Sequence, residues 1–80
     1  MSKEVKRLVA PLLKADAGFE IGQRGNGGHA ALTYRGAFIA KLPATPGRGR
    51  WRGNLASQIR GRCRDVGGAP LEAVARKALR

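Results

Sequence analysis

This sequence of 80 residues is poor in the side chains that carry most enzyme chemistry. It has one cysteine, one histidine and five acidic residues, and the acids lie near the two ends. A lone cysteine forms no internal disulfide, which is typical of a reducing compartment. The one histidine and the one cysteine do not stand at zinc-finger or helical i, i+4 spacing, and the acids are scattered. We therefore expect no metal, no cofactor and no catalysis by paired carboxylates.

Long hydrophobic runs are also missing. The longest apolar stretch, residues 8–13, is interrupted by Pro11, and it is too short for a signal-peptide core or a transmembrane helix. A hydrophobic content of 42% nevertheless excludes a disordered basic tail. The sequence predicts one small soluble domain with a thin core, located in the cytoplasm and without a membrane partner.

Acidic residues are absent from the whole middle of the chain. The net charge is +11, from 16 Lys and Arg against 5 Asp and Glu. Residues 1–20 and 65–80 each contribute +1, so the remaining +9 lies in residues 21–64. A merely solvated face does not need so long a stretch without a carboxylate. The pattern favours a nucleic-acid partner, with an acidic protein as the alternative.

Apolar spacing predicts a helix followed by three strands. Val5, Leu8, Val9, Leu12 and Leu13 form a helical stripe, in which Pro11 should cause a kink or a shortening, and Gly18 ends the helix. Alternation then predicts strands at 19–21, 30–34 and 37–42, the last two joined by a hairpin turn at Arg35-Gly36. In the third strand we expect Phe38, Ala40 and Leu42 to share one face.

Two further helices are predicted after the strands. Asn54 is a suitable N-cap for a helix with Leu55, Ile59 and Cys63 on its inner face, and Gly67-Gly68 breaks it. Pro70 then opens a third helix, whose stripe is Leu71, Val74, Ala75, Ala78 and Leu79. The order predicts an α+β fold, one helical layer on a three-stranded antiparallel sheet, over residues 1–66. Residues 67–80 form a helical extension that packs on this domain or makes a dimer contact.

His29 is the one side chain suited to proton transfer near neutral pH. It follows a glycine-rich turn and, by alternation, points away from Leu32 and Tyr34. As a base it would take the 2′-hydroxyl proton of RNA, so that the ribose oxygen attacks the adjacent phosphate while guanidinium groups stabilise the developing charge. The alternative is a strand-edge histidine without a catalytic role. Cys63, on an apolar helix face, is interpreted as an inert core residue.

The candidate nucleic-acid contacts surround this histidine. Arg48, Arg50 and Arg52 flank Trp51, which either stacks on a base or, as we favour, anchors the core. The remaining phosphate-binding candidates are the cations of the middle segment, with Arg24 and Arg35 in second rank: Arg24, Arg35, Lys41, Arg60, Arg62 and Arg64.

These motifs together resemble the HicA-type mRNA interferase toxins, in particular the small HicA-like proteins of actinobacteria and their phages. The resemblance covers about residues 2–64 and is carried by Gly-Asn-Gly-Gly-His at 25–29 and Leu-Pro-Ala-Thr-Pro at 42–46. It implies a fold like the double-stranded RNA-binding domain, α-β-β-β-α, and a ribonuclease activity that depends on His29. It also implies neutralisation by a HicB-type antitoxin. Many members have serine where this chain has Gly28.

Three functions follow from these observations. The first is a HicA-like toxin that cleaves RNA without metal. The second is a non-catalytic DNA- or RNA-binding module on the same fold, for instance a phage regulator of host processes. The third is an interaction protein whose basic face captures an acidic host protein or an antitoxin.

Overall fold

The computed structural model describes residues 3–23, 30–43 and 49–79. Their elements follow the order helix, three strands, helix, which confirms the predicted α+β class and the antiparallel sheet. The bounds are α1 Lys3–Ala15, β1 Phe19–Gln23, β2 Ala30–Tyr34, β3 Ala37–Leu42 and α2 Trp51–Ala78.

Helix α1 packs by the predicted stripe but is not shortened at Pro11. Val5, Leu8, Val9 and Leu12 are buried, while Pro11 lies on the exposed side. The proline removes a single backbone hydrogen bond, and burial of Leu8 and Leu12 on either side of it holds the helix together. The stripe is narrower than predicted, because Leu13 is exposed. The helix also ends at Ala15, before Gly18.

The strands form a meander in the order β1-β2-β3. The predicted hairpin turn is confirmed, because Arg35 and Gly36 both have positive φ, 49° and 87°, which is the backbone of a type I′ turn. The Arg35 N–H donates to the Gly18 carbonyl at 2.9 Å and so extends the pairing of β1 with β2 by one position.

A β-bulge in β3 changes which side chains reach the core. Leu32 pairs with Ala40 but Thr33 pairs with Phe38, so Ile39 is the extra residue. Ile39, Ala40 and Leu42 are all buried in consequence. The prediction that Phe38 lies beside Ala40 and Leu42 is wrong: paired residues share a face of the sheet, and Phe38 shares that of Thr33, opposite the core.

Helix α2 begins one turn earlier than predicted. Its first residue is Trp51, and the cap position is occupied by Arg50, whose side chain makes no capping hydrogen bond. The backbone N–H of Asn54 donates to the Arg50 carbonyl at 3.0 Å, so Asn54 lies inside the helix and does not cap it. Packing of Trp51 against the core gives the physical reason for the extra turn.

The predicted break at Gly67-Gly68 is a kink within α2. Gly68 has φ 72° and ψ −165°, a conformation open essentially to glycine alone. At Gly67 an added Cβ would lie 2.6 Å from the Leu71 side chain. Pro70 follows in the first turn of the second segment, where its fixed φ suits helix initiation.

All five elements contribute to a single hydrophobic cluster. Leu71 and Ala75 from the second segment of α2 are buried in it together with Leu79, which follows the helix, and Val74 and Ala78 pack against its border. Residues 69–79 therefore pack on the same core as the other described elements. Among the described helices, none combines the length and the hydropathy needed to cross a membrane.

Candidate nucleic-acid interface

Seven of the nine cations of residues 21–64 lie in the described part of the chain. Six of them are exposed and Arg60 is half-buried. Only Arg62 has a carboxylate within 4.0 Å among the described residues. The seven are Arg35, Lys41, Arg50, Arg52, Arg60, Arg62 and Arg64.

The start of α2 concentrates positive charge. Arg50 and Arg52 flank the first helical residue, and the first turn contains no acid. Cations are unfavourable at this end, since the helix dipole is positive there. Trp51 is half-buried and packs against the core, as the favoured interpretation predicted, and the Arg52 guanidinium lies 6.0 Å from its ring centroid. The local potential thus suits an anion.

The three arginines in the middle of α2 have different surroundings. At about 100° per residue, Arg60 and Arg64 lie on one flank of the buried face and Arg62 lies on the other. Arg62 donates its Nε–H to the Phe38 carbonyl oxygen at 3.1 Å, and its Nη1 lies 4.0 Å from Asp65. Arg62 thereby connects α2 to β3, an edge strand, at the bulge. Arg60 and Arg64 have no such contact among the described residues.

Arg35 belongs to a small cluster at the hairpin turn. Its guanidinium lies 5.6 Å from the Tyr34 ring centroid. The Tyr34 hydroxyl donates to Asp16 Oδ2 at 2.9 Å, while the Gly18 N–H donates to Asp16 Oδ1 at 2.9 Å. Both bonds lower the pKa of Asp16, and the bond from the Gly18 N–H has the larger effect. The bond to Asp16 raises the pKa of Tyr34.

Lys41 is exposed on β3, on the side of the sheet away from the core. Pairing places it in one row with Ala31 and Gly22, and places Phe38 in the next row with Thr33 and Glu20. The face of the sheet opposite the core is thus made by Glu20, Gly22, Ala31, Thr33, Phe38 and Lys41, and on it Ala31 is buried although it lies outside the core cluster.

Three predicted site residues lie outside the described residues: His29, Arg24 and Arg48. Cys63 is fully buried, and burial raises the pKa of its thiol to about 11. It therefore remains a neutral thiol near pH 7. Within the described ranges, no group of three or more His, Cys, Asp or Glu side chains is placed to hold a metal ion.

Sequence reasoning missed two features of this region. It assigned Phe38 to the core, because strict alternation carries no sign of a bulge. It also gave no role to Asp16, although an aspartate two residues before a glycine is typical of an Asx turn. Only the structure brings Tyr34 to the same carboxylate.

Comparisons of the chain with protein-family models, with curated proteins and with solved structures return no match.

Proposed function

We propose that this protein binds RNA through the cations of its middle segment and cleaves it in the manner of the HicA-like toxins. The observation that carries the proposal is the basic set, Lys41, Arg50, Arg52, Arg60 and Arg64, none of which pairs with a carboxylate among the described residues. Cations that lack internal partners repel one another, and a phosphate backbone supplies the missing counter-charge. The order α-β-β-β-α supports a fold like the double-stranded RNA-binding domain.

The proposed reaction needs one base and several cations. The His29 imidazole takes the 2′-hydroxyl proton, and the 2′-oxygen forms a bond to the adjacent phosphorus. The bond from phosphorus to the 5′-oxygen breaks, and the imidazolium returns the proton to that leaving oxygen. Arginine side chains stabilise the charge on the phosphoryl oxygens as it develops. The products are a 2′,3′-cyclic phosphate and a 5′-hydroxyl.

A second candidate is a nucleic-acid-binding module without catalysis. The specific observation in its favour concerns the residue that precedes the proposed base. Gly28 stands where many HicA-like proteins have serine before this histidine, so the residue beside the proposed base differs from theirs.

An RNA assay in EDTA separates the two functions. Wild-type protein should cut mRNA with the chelator present, and His29→Ala should bind RNA with unchanged affinity but leave it intact. If wild-type protein shifts RNA on a gel and never cuts it, the binding module is correct. If it neither cuts nor shifts RNA, both functions are wrong.

Charge-matched variants test the interface. The triple variant of Arg48, Arg50 and Arg52 to alanine should bind RNA weakly, with a salt slope smaller by about 2, because each phosphate contact on a single strand contributes about 0.7. The control replaces three cations of α1, Lys6, Arg7 and Lys14, with glutamine and so removes the same charge outside the middle segment. Equal losses in both variants would show that only net charge matters.

The proposal also covers the setting in which the protein acts. A HicA-like toxin works in the cytoplasm of a bacterial or phage-infected cell, where its mRNA substrate is found. Its partner there is a HicB-type antitoxin, and an acidic protein would complement the basic set. Co-expression with an acidic product of a neighbouring gene should relieve growth arrest, and that relief should require the basic set.

A further inference from the structure

The two edges of the sheet are protected to different degrees. At β3 the bulge at Ile39 interrupts the strand, and the Arg62 side chain donates to the Phe38 carbonyl at 3.1 Å. Bulges and charged side chains of this kind hinder an edge from pairing with another strand. Strand β1 is the other edge, and its pairing with β2 is regular from Phe19 to Gln23. Among the described residues, the β1 edge therefore has neither a bulge nor such a side-chain bond.

The phase of the hydrogen bonds between β1 and β2 identifies which backbone groups point to this edge. The Arg35 N–H donates to the Gly18 carbonyl at 2.9 Å, so positions 18, 20 and 22 direct their backbone groups toward β2. Positions 19, 21 and 23 direct theirs outward. The Phe19 N–H donates to the Asp16 carbonyl, whereas the N–H and carbonyl of Ile21 have no partner among the described residues. An extended segment laid along β1 would satisfy them.

An apolar strip accompanies this edge. Helix α1 packs on β1 and α2 packs on β3, and the flank of α1 with Pro11 and Ala15 faces the second segment of α2. Leu13 lies about half a turn from both of them, on the flank toward the β1 edge. It is the one exposed large apolar side chain among the described residues, and Ile21, which packs against the core cluster, is only partly buried. A strand added to β1 would cover both side chains.

The distribution of charge selects a second copy of the chain as the occupant. The basic set lies at α2 and β3, whereas residues 1–20, which include α1 and the start of β1, have a net charge of only +1. Two molecules of charge +11 repel each other least where these segments meet. The apolar pair of Leu13 and Ile21 is also its own complement across a two-fold axis.

We propose that two copies of the chain associate by antiparallel pairing of their β1 strands about a two-fold axis at Ile21. The Ile21 N–H of each copy donates to the Ile21 carbonyl of the other, and the Gln23 N–H of each donates to the Phe19 carbonyl. The three-stranded sheet becomes six-stranded. The two α1 helices lie on one side of it with their Leu13 flanks facing each other, and the two basic sets remain at the outer ends. This inference concerns assembly and does not depend on the proposed RNA cleavage.

Sedimentation and amide hydrogen exchange of the full chain test the pairing, in about 0.15 M NaCl to screen the repulsion. As protein concentration rises, the mass should increase from 8.5 kDa toward twice that value, and exchange of the Ile21 amide should slow. The Glu20 amide, which points toward β2, should exchange at the same rate at every concentration and is the internal reference.

Two substitutions at Ile21 separate the backbone from the side chain. Ile21→Pro removes the outward N–H at an edge position, where proline is tolerated. Ile21→Ala lacks the same side chain but keeps the N–H. The dimer of the proline variant should be weaker than that of the alanine variant by about tenfold or more, because it loses the paired backbone bonds at the axis.

Two lysine variants of α1 provide a matched control that leaves β1 intact. Leu13→Lys and Ala15→Lys each add one charge at an exposed position, but only Leu13 lies on the flank toward the β1 edge. Leu13→Lys should weaken the dimer. Ala15→Lys should leave its dissociation constant unchanged within about twofold.

Three results would overturn the proposal. The first is a mass that stays at 8.5 kDa up to about 1 mM protein. The second is a dimer in which the Ile21 amide exchanges as fast as in the monomer, or one that Ala15→Lys disrupts and Leu13→Lys does not, because the copies would then meet at another surface. The third is protection of the Ile21 amide only when an acidic protein is added, which would assign the β1 edge to that protein.

Discussion

At the scale of single residues, Asp16 connects three parts of the chain. It follows α1, its Oδ1 accepts the Gly18 N–H just before β1, and its Oδ2 accepts the Tyr34 hydroxyl of β2. Glycine is required beside it, because a Cβ at Gly18 would lie 2.8 Å from Tyr34 Cε1. The Asp16 carboxylate thus positions the start of β1 beside β2.

These bonds predict how stability depends on pH. The pKa of Asp16 is lower in the folded protein than its ordinary value of 3.8, so its contribution is fully present above pH 3.8 and is lost as pH falls through the lower folded value. The pKa of Tyr34 is raised above 10.0, so its contribution is present below pH 10 and is lost as pH rises further. We therefore expect Tm to fall both below pH 3.8 and above pH 10.

Thermal unfolding followed by circular dichroism from pH 2 to pH 11 checks this expectation. Asp16→Asn should lower Tm near pH 7 and flatten the decrease below pH 3.8. Tyr34→Phe should flatten the decrease of Tm above pH 10. It should leave most of the decrease of Tm at low pH, because the Gly18 N–H has the larger effect on the pKa of Asp16. If Asp16→Asn lost Tm below pH 3.8 as steeply as the wild type, Asp16 would not be the group that causes the loss of stability in acid.

A second prediction at the scale of single residues compares the effects of Arg62 and Arg64 on the free energy of unfolding. Both are exposed arginines of α2, but only Arg62 bonds to β3. Arg62→Gln should therefore lower the free energy of unfolding by about 1 kcal/mol, whereas Arg64→Gln should leave it unchanged within about 0.5 kcal/mol. Urea unfolding measures both. Equal stability of the two variants would show that the Phe38 carbonyl does not need its arginine partner.

At the scale of elements, periodicity predicted most of the fold. The strands at 30–34 and 37–42 and the hairpin between them have the predicted bounds. What periodicity missed is decided by contacts between elements. The bulge at Ile39 buries three side chains of β3, those of Ile39, Ala40 and Leu42, in the core. Helix α2 begins earlier than predicted because Trp51 packs against the core. The side of α2 on which Arg62 meets β3 likewise depends on packing that no local spacing encodes.

The kink in α2 gives an element-scale prediction. Gly68→Ala should destabilise the protein by about 1–3 kcal/mol, because a residue with a Cβ is strained at φ 72° and ψ −165°. Among the described residues, the added methyl group would meet only Pro70 Cδ, at an ordinary 3.7 Å, so the cost lies in the backbone. In a domain of this size Tm should fall by about 5–20 °C.

A glycine of the same helix provides the control. Gly61 is exposed, and a Cβ there would have no atom of the described residues within 4 Å outside the backbone of its own helix. Gly61→Ala should stabilise the protein by about 0.5–1 kcal/mol, since alanine has the higher helix propensity. The same substitution thus has opposite signs seven residues apart. A destabilisation of similar size at both positions would mean that α2 does not change direction at Gly68.

At the scale of the whole molecule, a thin core carries a large unbalanced charge. The net charge is +11, and the principal dimensions of the molecule are only 31 × 26 × 20 Å. Only two ion pairs occur among the described residues, Arg62–Asp65 and Arg76–Glu72, with nitrogen-to-oxygen distances of 4.0 and 3.9 Å. Such exposed pairs contribute little. The repulsion between these cations therefore weakens the free protein, and the proposed polyanion would relieve it.

Salt should consequently have opposite effects on folding and on binding. At about 10 mM NaCl the screening length is about 30 Å and repulsion acts across the whole molecule, whereas at 0.15 M it is about 8 Å. Raising NaCl over this range should raise Tm and weaken RNA binding. Chloride is the appropriate anion, because sulfate would also stabilise the protein by binding to its cations. The variant of α1 that lacks Lys6, Arg7 and Lys14 has a charge of +8 and should show a smaller rise in Tm. A Tm that stays constant or falls between these concentrations would show that self-repulsion is not what the partner relieves, and RNA affinity would then have to arise from specific contacts alone.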